Sequence, residues 1–378
     1  MRLLPLFIFW GLWFLSYSAR TIFAPILPLI EDKLLLSHGE AGGLCTSLSI
    51  GHALALMIAG RFASLWGYKW TVVSGFVGIG LVFLGLQWAN SYLVFHLLSF
   101  LLGIATGTYL PGILPIITRM YDYRTWGKAF GFHDSAASLS ILTIPILVAL
   151  GLKFFSWERV LLILGVASCI LPAYFWRISV EPKKDIPRNT GQYVSLLKRR
   201  PIWVMGFLWI FASGSSSGIY SILPLYLIKE RGIDLYLANT LLGISRVGGV
   251  FVSILTGYLA DRYGYRAILK WGLFATGLST VGLSLASALP LILTMLFLQA
   301  TFSLFFFPVG MAAISKLTPL SDRAMATGII LSIGVAFGSG VNPLLLGLVA
   351  DHMSFQVGIF CLGVLTTVSC LGVRLLEE

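Results

Sequence analysis

Two arginines stand where charge is expensive. Arg20 lies in LWFLSYSARTIFAPILPLI, with no acidic residue before Glu31, and Arg246 lies in the equally apolar GISRVGGVFV. A charge at the centre of a membrane-spanning helix costs about 2.5–3.5 kcal/mol on insertion scales, so each needs a reason to be there. A guanidinium donates two parallel hydrogen bonds from a planar fork, which is the geometry that carboxylate and phosphate oxygens accept. Arg20 is 11 residues before Glu31, and Arg246 is 12 residues after Asp234. In helix those spacings put both roughly 16–18 Å deep, near a bilayer midplane. The acids do not follow them. Of 15 Asp and Glu, seven fall in outer segments and seven in inner ones, leaving Asp134 as the one carboxylate within a span. That balance describes an electropositive cavity whose missing counter-charge is a substrate. The competing reading has each Arg bonded to backbone carbonyls or snorkelling, which is hard at this depth.

Around the arginines stand weaker candidates. Tyr17 is one helical turn before Arg20 and shares its face. Tyr109 in TGTYLPG, Tyr220 after a serine run, and Gln299 are further polar groups in apolar spans. Each could orient a substrate or satisfy a kinked helix. Asp134, with His133 beside it in GFHDSAAS, is a candidate proton carrier; the rival reading pairs it with a basic loop residue near the inner end of its span. His52 reads as a core histidine. No spacing calls for a cofactor or a metal, and Cys45, Cys169, Cys361 and Cys370 read as small buried hydrophobes.

The elements that must position these groups are membrane helices. The chain has 378 residues, 57% of them apolar and only 11% charged. Apolar runs near the ~20 residues that a bilayer core demands follow one another from end to end. Twelve spans are expected, at 3–30, 41–60, 71–89, 92–118, 127–152, 158–178, 202–228, 237–258, 268–287, 290–315, 325–349 and 354–375. The basic start and apolar core of MRLLPLFIFWGLWFLSYSA imitate a signal peptide, but cleavage would leave an odd number of spans. Only the segment 179–201, containing EPKKDIPRNTG, is a long polar connection, and it separates an N-terminal bundle, 1–178, from a C-terminal bundle, 202–378. With the N-terminus inside, inner loops and ends hold 19 Lys and Arg against five in the outer loops. This is the positive-inside bias, placing both termini in the cytoplasm and the protein in the cell membrane. The net charge of +11 therefore reflects topology, and nucleic acid is excluded as a partner because no soluble basic face exists.

An internal repeat links the two halves. GRFASLWGYK, Gly60 to Lys69, follows the second span, and GYLADRYGYR, Gly257 to Arg266, follows the eighth, at an offset of 197 residues. The same offset pairs Pro111 with Pro308, Ala129 with Ala326 and Gly131 with Gly328. At these residues the chain resembles the major facilitator superfamily over essentially its whole length, closest in character to its organic-anion-carrying branches. The family's loop motif is G-x-L-A-D-R-x-G-R-[RK]. Gly257, Asp261, Arg262, Gly264 and Arg266 match it; the first copy keeps Gly60, Gly67 and Lys69 but has Ser64 and Leu65 in place of the acid–base pair.

The resemblance implies an all-α fold of 12 transmembrane helices in two pseudosymmetric six-helix bundles. It also implies transport by alternating access about a midplane site. The first, fourth, seventh and tenth spans would line the cavity, Pro25, Pro28, Pro111, Pro115, Pro224 and Pro308 would break helices there, and Asp261 with Arg262 would form the cytoplasmic gate. Anion-carrying branches often have an Arg in the first or eighth span. Drug–proton antiporters typically carry an Arg in the fourth span and G-x-x-x-G-P in the fifth, and neither is present here. The expectation is a monomeric, non-enzymatic secondary transporter for a small carboxylate or phosphate ester, driven by a proton, sodium or counter-anion gradient. Multidrug efflux is the alternative. An intramembrane enzyme or sensor is the remote one, because the histidines are scattered and no catalytic constellation assembles.

Overall fold

In a computed structural model the chain is described over residues 3–182, 195–319 and 322–376. Among the described residues, eleven helical stretches are long and apolar enough to cross a membrane. The twelfth, eighth in chain order, is present as two shorter helices, Leu235–Ile244 and Val247–Tyr263, parted at Ser245 and Arg246. Several spans overrun their expected ends. The second runs His38–Trp66 because nothing in its sequence stops a helix until Gly67, which takes φ 117°. Gly264 does the same at φ 84° in the second copy of the motif. Both are conformations that a side chain resists, so the repeat's two turn glycines are explained by backbone geometry. The expected connection to residue 201 ends slightly early, since a helix starts at Arg200 with Pro201 in its first turn; residues 183–194 of that connection lie outside the described ones.

The helices used below are α1 (Leu3–Thr21), α2 (Phe23–Leu34), α3 (His38–Trp66), α4 (Tyr68–Gly85), α5 (Tyr92–Gly107), α6 (Tyr109–Met120), α7 (Trp126–Gly151) and α8 (Trp157–Ile178). They continue as α9 (Arg200–Ser213), α10 (Ile219–Leu225), α11 (Leu235–Ile244), α12 (Val247–Tyr263), α13 (Tyr265–Leu285), α14 (Leu289–Phe302), α15 (Phe306–Leu317), α16 (Arg323–Ile333), α17 (Asn342–His352) and α18 (Phe355–Ser369). They gather into two units, Met1–Leu29 with Ser47–Pro187, and Ile30–Thr46 with Arg188–Glu378.

In the first unit α1 packs against α7 and α8, and α4 against α5 and α8. Small residues set the spacing: a Cβ on Gly103 of α5 would stand 2.0 Å from the Leu48 carbonyl oxygen of α3, so only glycine permits that approach. Where the first motif copy lacks its acid, Glu181 accepts from the Tyr68 and Lys69 backbone N–H groups at 2.5 and 3.0 Å, capping α4. Lys69 Nζ donates to the Trp176 and Ser179 carbonyls and lies 4.5 Å from the Trp176 ring centre. Asp261, Arg262 and Arg266 of the second copy are exposed, the two arginines over the rings of Tyr263 and Tyr265. Cys45 and Cys370 are buried, but Cys169 and Cys361 are exposed, correcting the expectation that all four are buried; they sit on outward faces of α8 and α18.

The second unit has its core around Trp209, edge-on to Phe306 at 5.2 Å. It also holds residues 30–46 from the first half of the sequence. Ser37 and Glu40 form a reciprocal capping box at the start of α3, and Asp351 of α17 accepts from the His38 and Gly39 backbone N–H groups at 2.8 and 2.9 Å. Lys229 bridges Asp32 at 2.6 Å and the buried Glu31 at 3.5 Å, and Glu31 is 3.0 Å from His38 Nδ1. Two open N–H groups and a helix dipole end on one carboxylate, so Asp351→Ala is expected to lower the melting temperature, costing about 0.5–2 kcal/mol. Asp351→Asn, whose amide oxygen still accepts, is expected to lose less. Equal melts for Asp351→Ala and wild type would remove this role.

Candidate functional site

Three of the six prolines expected to break helices stand at breaks, Pro25, Pro111 and Pro308, whereas Pro28, Pro115 and Pro224 lie inside α2, α6 and α10, correcting that expectation. A proline clashes with the carbonyl four residues earlier and offers no N–H to it. Pro25 acts on Thr21, where α1 ends; Pro111 acts on Gly107, where α5 ends; Pro308 acts on Leu304, inside the turn between α14 and α15. Arg20 therefore lies in the last turn of α1, immediately before the first break. Arg246 occupies a break that no proline makes. Ser245 turns its hydroxyl back onto the Leu242 carbonyl, Arg246 N–H bonds Gly243 O in a tightened turn, and Gly248 and Gly249 weaken the helix that follows. Arg246 is the residue capping α12, whose dipole adds positive character at the same point.

The two guanidiniums have similar surroundings within their own units. That of Arg20 lies 5.1 Å from the Tyr17 ring centre, and that of Arg246 lies 4.9 Å from the Tyr220 ring centre. Such contacts stabilise a cation through the ring's negative face without using up its hydrogen-bond donors. Nε of Arg20 is buried and finds no acceptor among the described residues. Arg246, only 4% exposed, places Nη2 3.4 Å from the Ser216 carbonyl oxygen. That carbonyl belongs to a π-helical turn, Gly214–Gly218, between α9 and α10. The wider turn disturbs the usual backbone pairing, and Gln299 Nε2 of α14 donates to the neighbouring Ser215 carbonyl at 2.5 Å. Gln299 is fully buried, with Oε1 lacking a donor among the described residues.

The second unit thus gathers Arg246, Tyr220 and Gln299 around Ser215 and Ser216. The backbone carbonyls of the run ASGSSSG, Ala212 to Gly218, organise this cluster. Tyr109 stands apart. It is 1% exposed, and its hydroxyl donates to the Phe9 carbonyl and is 3.0 Å from His133 Nε2. His133 is buried beside it, its ring parallel to that of Trp13 at 5.7 Å. Asp134 is exposed and accepts from Trp13 Nε1 at 3.4 Å. Trp13 was not singled out in sequence, although it lies one turn before Tyr17. His52 bonds Thr106 in the core of the first unit.

Arg20 keeps its charge beside a ring, with a nitrogen left open. Leaving such a donor unmet costs about 1–3 kcal/mol, so Arg20→Met is expected to raise the melting temperature of the ligand-free protein. A fall on the same melt would make Arg20 a structural residue.

The comparisons with known proteins agree with this architecture. The family model described as Major Facilitator Superfamily matches residues 9–289 and 247–378. The probable sulfoacetate transporter SauU of Cupriavidus necator is 27% identical over 278 residues, a match taking in 66% of this chain and 63% of that protein. The inferred niacin/nicotinamide transporter NiaP of Bacillus subtilis is 24% identical over 378 residues, covering 95% of this chain and 92% of that one. Among solved structures, a bacterial homologue of the human lysosomal transporter Spinster, inward-facing and unoccupied, superposes with a TM-score of 0.85 at 15% identity, over 98% of this chain and 96% of that one. At that identity the likeness speaks for the fold. With twelve spans, a repeated loop motif and a family model matching nearly its whole length, the chain belongs to the major facilitator superfamily of multi-pass membrane transporters.

Proposed function

We propose that this transporter moves a small organic anion by alternating access, with Arg20 and Arg246 as the ligands for its negative group. The observation that carries the reading is a guanidinium at a helix break in each unit, held over a tyrosine ring, with Nε of Arg20 buried and without an acceptor among the described residues. A guanidinium so placed can donate to an incoming oxyanion while keeping its contact with the ring. Tyr17 lies under one guanidinium; Tyr220 and the Ser216 carbonyl hold the other, with Gln299 bonded to the neighbouring Ser215 carbonyl. Two relatives give the reading support from outside, since sulfoacetate and niacin are both small organic acids. The positive-inside bias favours the cell membrane with both termini cytoplasmic.

The test is the melting temperature of the purified protein against carboxylates, organophosphates, inorganic anions and lipophilic cations. A ligand present at 100 times its Kd adds about 2.7 kcal/mol of stability, enough to register. An anion is expected to raise the melt of wild type, and Arg246→Met or Arg246→Lys is expected to abolish both that shift and uptake into proteoliposomes. Stabilisation by lipophilic cations alone would transfer the protein to the efflux class.

A further inference from the structure

The wall of the first unit beside Arg20 carries more than a cation. Phe7, Trp10, Phe14, Tyr17 and Arg20 recur every three or four residues along α1, and none of them is fully buried. The ring planes of Trp10 and Phe14 stack within 12° at 5.6 Å, and Tyr17 follows one turn later, under the guanidinium. This is a continuous aromatic surface with positive charge at one end. At the other end α7 brings up negative charge. Trp10 Nε1 donates to Ser135 Oγ at 3.1 Å and Trp13 Nε1 to Asp134 Oδ1 at 3.4 Å. Asp134 is exposed within a membrane span and makes no ion pair among the described residues. A carboxylate is not left bare against hydrocarbon, so this wall faces water or a ligand.

The separation is suited to one molecule. Trp13 and Arg20 are seven residues apart, roughly 10 Å of helix, and the arginine side chain shortens the gap by turning back over Tyr17. We propose that the transported acid is an aromatic zwitterion, a planar ring with an acidic group at one end and a basic nitrogen at the other, net neutral but presenting its carboxylate to the arginine. Its acid meets Arg20, its ring lies along Tyr17, Phe14 and Trp10, and its cationic nitrogen meets Asp134. Aromatic faces beside a carboxylate are a recurrent way of holding an ammonium group, since quadrupole and charge attract it together. A simple carboxylate would fill the arginine end alone and leave Asp134 unmatched. The inference rests on the reading of Arg20 as the ligand for the substrate's acidic group, and adds a cationic group to that substrate.

Two probes separate the possibilities: benzoate, which has the ring and the acid, and 4-(aminomethyl)benzoate, which adds the basic nitrogen. Binding of each to the purified full-length protein is measured by calorimetry, with butyrate as the ringless control. Wild type is expected to bind the zwitterion about tenfold more tightly than benzoate, the gain of one charge-assisted hydrogen bond. In Asp134→Asn that preference is expected to vanish, and in Trp10→Leu both ring compounds are expected to weaken against butyrate. If wild type and Asp134→Asn show the same ratio of affinities, or if butyrate equals both ring compounds, the inference falls while the anion reading stands. If no anion in either panel binds, the anion reading itself has failed. Should Asp134→Asn not fold, Trp10→Leu still decides whether the aromatic wall is used.

Discussion

Nothing in the interior of a bilayer replaces the hydrogen bonds that water gives, and the remaining structure answers to that constraint. A helix satisfies its own backbone, so every departure from helix exposes groups that some side chain must meet. The departures here are met in kind. The widened turn at Gly214–Gly218 releases carbonyls to Gln299 and Arg246, and the Tyr109 hydroxyl reaches across to the Phe9 carbonyl. Polar side chains in the spans thus divide by what they touch. Some, such as Tyr109, close a backbone gap, and others, such as Arg20, keep an open atom among the described residues.

The same constraint explains why charge and helix break coincide. A guanidinium needs room and a partner of opposite polarity, and an interrupted helix supplies a gap and carbonyls freed from backbone pairing at one place. Tyrosine is the economical neighbour, because its ring face compensates part of the lost hydration. Arg20 reaches this arrangement beside a proline-made break. Arg246 reaches it through a serine back-bond and paired glycines, and the outcomes are alike although the two residues do not occupy repeat-equivalent positions.

How far the sequence alone could see this follows from the physics of each signal. Span number, the repeat and the breaks near Pro25, Pro111 and Pro308 are local properties, and they were legible. The break at Arg246 was not: Ser245 with Gly248 and Gly249 is common in membrane helices that run straight, and only tertiary packing makes it bend. Arg20, Arg246, Tyr17, Tyr220 and Gln299 were named from residue type and depth, but the carbonyls of Ser215 and Ser216 carry no side-chain signature at all. Exposure of Cys169 and Cys361 was missed because depth in a span says nothing about which face points outward. The helix start at Ser37–Glu40 was readable as a capping box, whereas its reinforcement by Asp351 depended on a partner far along the chain.

That last distance governs how the protein is made. The hydrogen bond from His38 to Asp351 joins residues 313 positions apart, and residues 30–46 share a unit with a chain segment synthesised long after them. The first helical hairpin therefore leaves the ribosome with its loop-side contacts unmade, and it waits through the insertion of nearly every other span. Closing so long a loop is slow, and it comes at the end. Asp351 lies in α17, with only α18 to follow, so a chain truncated before it would keep the Ser37–Glu40 box but leave the His38 and Gly39 N–H groups of α3 without this acceptor.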